Sequence, residues 1–170
     1  GPRQGPVPGG RVAHAHGLGG ARGQGQRPLA RLRAKALTCE EGPTATPCGQ
    51  CDRCQEADLG ADADVIEIDA ASNNGVDEVR ALREQATYNP MRGRFKVYII
   101  DEVHMLSKAA FNALLKTLEE PPPHVKFLFA TTERNKVPDT ILSRCQVLQL
   151  DPLPEAVISA HLEEIGRAHV

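Results

Sequence analysis

Two adjacent acids, Asp101 and Glu102, follow directly on Lys96-Val97-Tyr98-Ile99-Ile100, a continuous β-branched and aromatic run. Such a run has the pattern of a central strand buried on both faces. The acids would then stand at the C-terminal edge of a sheet, where α/β proteins bind ligands. In a nucleotide hydrolase the first acid of such a pair holds the Mg2+ shell and the second polarises the attacking water. Read alone, the pair also fits a strand end capped by two solvated acids.

A second chemistry lies upstream. Four of the five cysteines fall within Cys39 to Cys54 with the spacing C-x8-C-x2-C-x2-C, and the fifth, Cys145, is far away. Thiolates two residues apart can turn back onto one tetrahedral ion, and four of them satisfy zinc with no open position. A disulfide framework is the weaker reading, because nothing in Gly1 to Gly10 resembles a secretion signal. Cys39, Cys48, Cys51 and Cys54 are therefore expected to staple a loop around structural Zn2+. A closed site of this kind would not be catalytic.

The elements that must position these groups read as alternating strands and helices from residue 61 onward. Asp64 to Asp69 alternates polar and apolar, a strand with one buried face, and Ser72-Asn73-Asn74-Gly75 is a turn. Val76, Val79 and Leu82 recur at helical spacing to about Ala86, and Asn89-Pro90 breaks that helix. Ser107 is an N-cap for a helix whose stripe, Phe111, Leu114, Leu115 and Leu118, is core, and Pro121-Pro122-Pro123 ends it. Val125 to Ala130 is strand-like, Pro138 to Arg144 a short helix, Gln146 to Leu150 a last strand, and Pro154 to about Ile165 a last helix. Alternation of this kind implies a parallel sheet covered by helices on both faces.

Composition sets the limits. The 170 residues suffice for one domain with a modest core, and 41% hydrophobic with 25% charged residues is ordinary for a globular protein. No apolar run approaches the ~20 residues that span a bilayer. A membrane or secreted protein is disfavoured, and a cytoplasmic one is expected. The net charge of -2 conceals an asymmetry, because residues 1–35 carry seven basic side chains and no acid, leaving -9 for residues 36–170. That arm also holds nine of the fifteen glycines, so phosphate contact and a flexible tail are both open.

The ordered motifs resemble one family. Glu67-Ile68-Asp69-Ala70-Ala71-Ser72, Gly93-Arg94-Phe95-Lys96-Val97, Asp101 to Ser107, Phe111 to Pro122 and Ser143-Arg144-Cys145 are similar to signatures of the bacterial DNA polymerase III gamma/tau subunits, which are AAA+ clamp-loader ATPases. The resemblance implies an α/β fold, an AAA+ P-loop NTPase domain with a parallel sheet flanked by helices and an inserted four-cysteine zinc module. It implies Asp101 and Glu102 as the Walker B pair and Thr132, or else Thr131, as sensor 1. Arg144 would be an arginine finger reaching the ATP of a neighbouring subunit, since a guanidinium in trans stabilises charge on the transferring phosphoryl group. A supporting hydrogen bond is expected of His104 rather than metal binding, and Cys145 is expected to be a small buried neighbour. ATP, Mg2+ and Zn2+ would be the cofactors. The partners would be delta, delta-prime and further gamma/tau copies, the sliding clamp, and primed DNA inside the assembled complex.

One stretch departs from that pattern. Aligned without gaps, the phosphate-binding loop falls on Gly20-Ala21-Arg22-Gly23-Gln24-Gly25-Gln26-Arg27. Gly20, Gly23 and Gly25 are in place, but Gln26 stands where a lysine should meet the β- and γ-phosphates, and Arg27 where a hydroxyl should ligate Mg2+. Pro28 is tolerable only in a first helical turn. His16-Gly17-Leu18-Gly19 lacks the β-branched content of the strand expected before the loop. The resemblance divides the chain into a degraded phosphate-loop region (1–38), the zinc insertion (39–54), the AAA+ core (55–152) and the start of a lid (153–170). Glu164 to Val170 reads as translated adapter sequence, so the natural chain is expected to continue beyond it.

Three functions follow. The leading one is a clamp-loader subunit that uses ATP binding and hydrolysis to load the sliding clamp on primed DNA. The alternative is a non-hydrolysing, delta-prime-like scaffold donating only its arginine finger. A zinc-ribbon nucleic-acid binder would explain the cysteines but leave Asp101, Glu102 and Arg144 without roles, and residues 36–170 hold no basic stripe interleaved with aromatics. For the altered loop, true loss of the phosphate site competes with a shifted reading frame in GC-rich DNA over the first ~38 residues. The weak strand signal before the loop favours the shifted frame.

Overall fold

In the computed structural model, residues 13–21, 25–151 and 154–160 are described. Five parallel strands form one sheet: β1 (Ala15–Gly19), β2 (Val65–Asp69), β3 (Lys96–Asp101), β4 (Val125–Thr131) and β5 (Gln146–Gln149). Their order across the sheet is β2-β3-β4-β1-β5. The helices are α1 (Gln26–Thr38), α2 (Asp52–Leu59), α3 (Val76–Ala86), α4 (Lys108–Glu119) and α5 (Asp139–Leu142).

Alternation along the central strands sorts the core into two layers. Tyr98 and Ile100 of β3 point with Phe127 and Phe129 of β4 into a cluster with Val79, Leu82, Leu114 and Leu118 of α3 and α4. Val97 and Ile99, with Leu128 and Leu18, point the other way against Ala30 and Ala34 of α1. A period of two in a strand buried on both faces produces this division. The Phe127 ring stacks between Tyr98 and Phe129, with centroids 5.6 and 5.8 Å away. At the free edge, β2 is half-buried on both faces along Val65–Ile68, rather than showing one buried face.

The region before the phosphate loop corrects the sequence reading, because Ala15–Gly19 is a strand and an interior one. It pairs with β4 from Ala15↔Phe127 to Gly19↔Thr131 and with β5 from His16↔Gln146 to Gly19↔Gln149. Strand propensity reports chiefly side-chain packing, and two flanking ladders override it. All five residues are buried, and Leu18 supplies the apolar contact to α1. The weak strand signal therefore no longer argues for a shifted frame.

The helix boundaries follow local chemistry. The Ser107 hydroxyl accepts from the Ala110 amide and caps α4. Gly25 caps α1 at φ 77°, a left-handed backbone that costs other residues more, and Pro28 lies in the first turn as its missing N–H requires. Pro138 is the N-cap of α5 rather than its first residue. The sequence reading did not include α2, which directly follows the cysteine cluster. Residues 155–160 are helical, and the remainder of the expected last helix lies outside the described residues.

Candidate functional site

The chain crosses from β1 to the far edge strand β2 and finally returns to β5 on the other side of β1. Such a change of direction opens a crevice at the C-terminal edge of the sheet. Four segments meet there: Gly20 and Ala21 just after β1, the N-terminus of α1, and the ends of β3 and β4.

Asp101 ends β3. Its Oδ1 accepts from the Glu102 amide at 3.0 Å, and burial raises its carboxyl above the usual range. Glu102 has a left-handed backbone, φ 51°, uncommon outside glycine, and it opens a short 3-10 turn over Val103–Met105. The turn brings its carboxylate toward the end of β4. There the Thr132 hydroxyl donates to Glu102 Oε2 at 3.0 Å, while the Thr131 hydroxyl lies 2.9 Å from His104 Nδ1. Of the two threonines weighed as sensor, Thr132 therefore touches the second acid. His104 Nδ1 also lies 3.3 Å from Glu102 Oε2, the supporting contact expected of it.

Across the crevice, α1 presents its N-terminus. Backbone N–H groups there attract anions, as the loop glycines would require. The two departures from the family pattern are both engaged. The buried Gln26 side chain donates from Nε2 to the carbonyls of Gly20 and Ala21, at 2.6 and 2.9 Å, tying the loop's entry to its exit. Arg27 pairs with Glu67 of β2, and its Nε lies 3.7 Å from Asp101 Oδ2. Arg31, one turn along, binds the same Glu67 at 2.9 Å. Gly23 lies outside the described residues.

A divalent ion beside Asp101 does not fit this donor set, because a guanidinium already faces the carboxylate where a ligating hydroxyl is needed. A neutral amide in place of lysine likewise brings no charge to a phosphate. Sequence reasoning missed Glu67 and Arg31 as members of the site. Their register explains it, since Glu67 sits on β2 two residues before Asp69, which is opposite Asp101.

Arg144 stands apart from these groups, just after α5. Its guanidinium donates to the Thr140 carbonyl at 2.7 Å and pairs with Glu119, at the end of α4, at 3.2 Å.

The cysteine cluster forms a separate centre. Cys39 is the C-cap of α1, Cys51 the N-cap of α2, and Cys54 lies in α2's first turn. The sulfurs of Cys39, Cys48, Cys51 and Cys54 all lie within 4.8 Å of one another. Amides of Cys48, Cys51 and Cys54 point at the sulfurs of Cys39, Cys48 and Cys51, at 3.5, 3.4 and 3.4 Å. Backbone donors, led by Glu40, lower Cys51 to about 7, and burial pushes Cys54 up to about 12. Four convergent thiols with N–H···S support fit a closed zinc module. Cys145 takes no part in it; burial pushes its thiol up to about 12, and the sulfur donates to the Ile141 carbonyl.

A buried anchor ties this module to the sheet. Arg53 of α2 donates to Asp64 at 2.9 Å and lies 3.1 Å from Asp62. Asp64 also accepts from the amides of Arg92 and Gly93, at 3.0 and 2.9 Å.

Comparison with known proteins relates this chain to subunits of DNA polymerase III. The profile of the family described as "DNA polymerase III, delta subunit" matches residues 5–154. DNA polymerase III subunit tau of Escherichia coli K12 is 58% identical over 156 residues, covering 92% of this chain and 24% of its own length. The Bacillus subtilis tau subunit is 50% identical over 155 residues, covering 91% of this chain and 28% of its own. The chain thus spans about a quarter of the length of these curated relatives. Among solved structures, a gamma subunit-related protein of Thermotoga maritima superimposes with a TM-score of 0.64 at 22% identity, covering 85% of this chain and 43% of that one. The RuvB Holliday junction branch migration motor of the same organism gives 0.52 at 19% identity, covering 83% and 38%. These structural likenesses bear out the expected AAA+ type of α/β fold. Among the described residues, no helix is long and apolar enough to cross a membrane.

Proposed function

The chain belongs to the DNA polymerase III delta-subunit family, and from that premise we propose that it is a clamp-loader subunit of a bacterial replicase. It works in an assembly with delta, delta-prime and gamma/tau copies that uses ATP to place a sliding clamp on primed DNA. The observation that carries this reading is the 58% identity to a tau subunit over nearly the whole chain, which takes in the acids at the end of β3 and the arginine after α5.

Arg144 is the residue through which the chain would act on a neighbour. It is distant in sequence from the acid pair and held by groups of its own subunit, Thr140 and Glu119. Release of the Glu119 pair would leave a planar, permanently charged group free to bind a phosphoryl oxygen across a subunit boundary. The zinc module would hold α1 and α2 together at the base of the site, and Arg53 would anchor it to the sheet.

The chain's own site admits two forms of this reading. In one, Asp101, Glu102 and Thr132 act on a nucleotide bound in cis. In the other, the chain resembles delta-prime, donating Arg144 and protein contacts while its own site stays silent. Gln26 and Arg27 favour the second form, since neither supplies what a phosphate loop contributes at those positions. Reconstitution tests the common part. The full-length protein, mixed with delta, delta-prime and gamma/tau partners, is expected to enter the complex and support clamp loading on primed DNA, and failure to enter it would overturn the proposal.

A further inference from the structure

We infer that the Arg27 guanidinium is a built-in cation that takes the place of a divalent metal at the acid cluster, so that this chain's own site does not bind Mg2+ beside Asp101. The inference rests on the reading of Asp101 as the acid in the metal position of a nucleotide-hydrolase fold.

Asp69 ends β2 and Asp101 ends β3, with Glu102 directly after it and Glu67 two residues before Asp69 on β2. Asp69 and Asp101 are register partners across the two strands. Without a cation, these carboxylates would repel one another. A metal relieves such repulsion in a hydrolase, and here a side chain does so. Arg27, in the first turn of α1, pairs with Glu67 and stands 3.7 Å from Asp101, and Arg31 adds a second charge to Glu67 at 2.9 Å. The carboxylates of Glu67 and Asp101 are four-fifths buried, so their need for a counter-charge is not met by water alone.

Position is what makes the substitution exclusive. Arg27 occupies the residue from which a serine or threonine hydroxyl would ligate the metal, so one change both removes a ligand and installs a competing charge. The guanidinium is about half exposed, which leaves it charged at all relevant pH values and able to stay beside the acids. A divalent ion would have to displace it from Glu67 and Asp101 and then find no hydroxyl. The buried Gln26 amide, bound to the Gly20 and Ala21 carbonyls, closes the same end of the loop from within. An acid cluster satisfied internally keeps its fold without a metal, as suits a subunit that serves only its neighbours' chemistry.

Manganese, a paramagnetic stand-in for magnesium, tests this directly. The zinc-loaded full chain would be titrated with Mn2+ and free Mn2+ read by electron paramagnetic resonance, beside thermal melts with and without Mg2+. Wild type is expected to leave Mn2+ free and to melt at the same temperature in either buffer. Arg27→Thr removes the cation and restores a hydroxyl. It should bind one Mn2+ at least tenfold more tightly than wild type, and its melting temperature should rise with Mg2+. Adding Asp101→Asn should abolish both effects. Arg27→Lys, which keeps the charge, should behave as wild type and serves as the folding control. Asp101-dependent Mn2+ binding by wild type equal to that of Arg27→Thr would overturn the inference and leave the clamp-loader reading standing. If neither protein bound Mn2+ while both were folded, the inference would fail together with the reading of Asp101 as a metal-position acid.

Discussion

Thr131 and Thr132 are neighbours in sequence, yet the end of β4 sends one hydroxyl to His104 and the other to Glu102. No sequence pattern separates two adjacent threonines, because the distinction depends on which side of the strand each faces. The acids were legible from the strand that precedes them, whereas the partners of Arg27 were not, since Glu67 arrives from a strand 40 residues away. A histidine supplies a prediction at this scale. His16 lies buried in β1, held down to about 4 from 6.5 by burial first and then by the positive charges of Arg33 and Lys126. The folded protein thus resists protonating His16 between these values, while the unfolded chain accepts the proton. Stability contributed by the neutral ring is complete above about pH 6.5 and is lost as pH falls toward 4. Urea melts across that window should show this loss, and His16→Gln should flatten that part of the profile.

Among the elements, β1 and α2 are where local signals and tertiary context part company. β1 reads poorly because two of its five residues are glycine, but it is held by ladders on both sides. In α2 the first turn carries a zinc-type cysteine and a buried arginine, so its sequence answers to the cluster and to Asp64 more than to an apolar stripe. Periodicity sufficed for α3 and α4, whose buried faces follow the expected spacing. Two variants test the anchor and the module. Arg53→Ala leaves Asp62 and Asp64 buried without their cation and should cost about 3–5 kcal/mol in equilibrium unfolding. Cys51→Ser should lower bound zinc, measured by elemental analysis, and speed hydrogen exchange over residues 39–54 while the strands stay protected. Full zinc retention by Cys51→Ser would contradict the closed four-thiol site.

For the molecule as a whole, the charge asymmetry has an internal use in the part of the basic arm that the structure describes. Arg27 and Arg31 serve Glu67, Lys35 pairs with Asp58, and Arg33 lies against His16. These contacts hold α1 to its surroundings. Under the proposed function, Arg144 is the group the chain would offer to a neighbouring subunit, a role suggested by sequence signatures and one that would act only in an assembly. Its catalytic effect is therefore the most direct test of the account. ATP hydrolysis should be measured in the reconstituted full-length complex, with clamp and primed DNA, carrying either wild type or Arg144→Ala. The account predicts a loss of 10³-fold or more at the neighbouring site, as for other arginine fingers, with nucleotide binding and assembly preserved. Undiminished hydrolysis by an intact Arg144→Ala complex would contradict it.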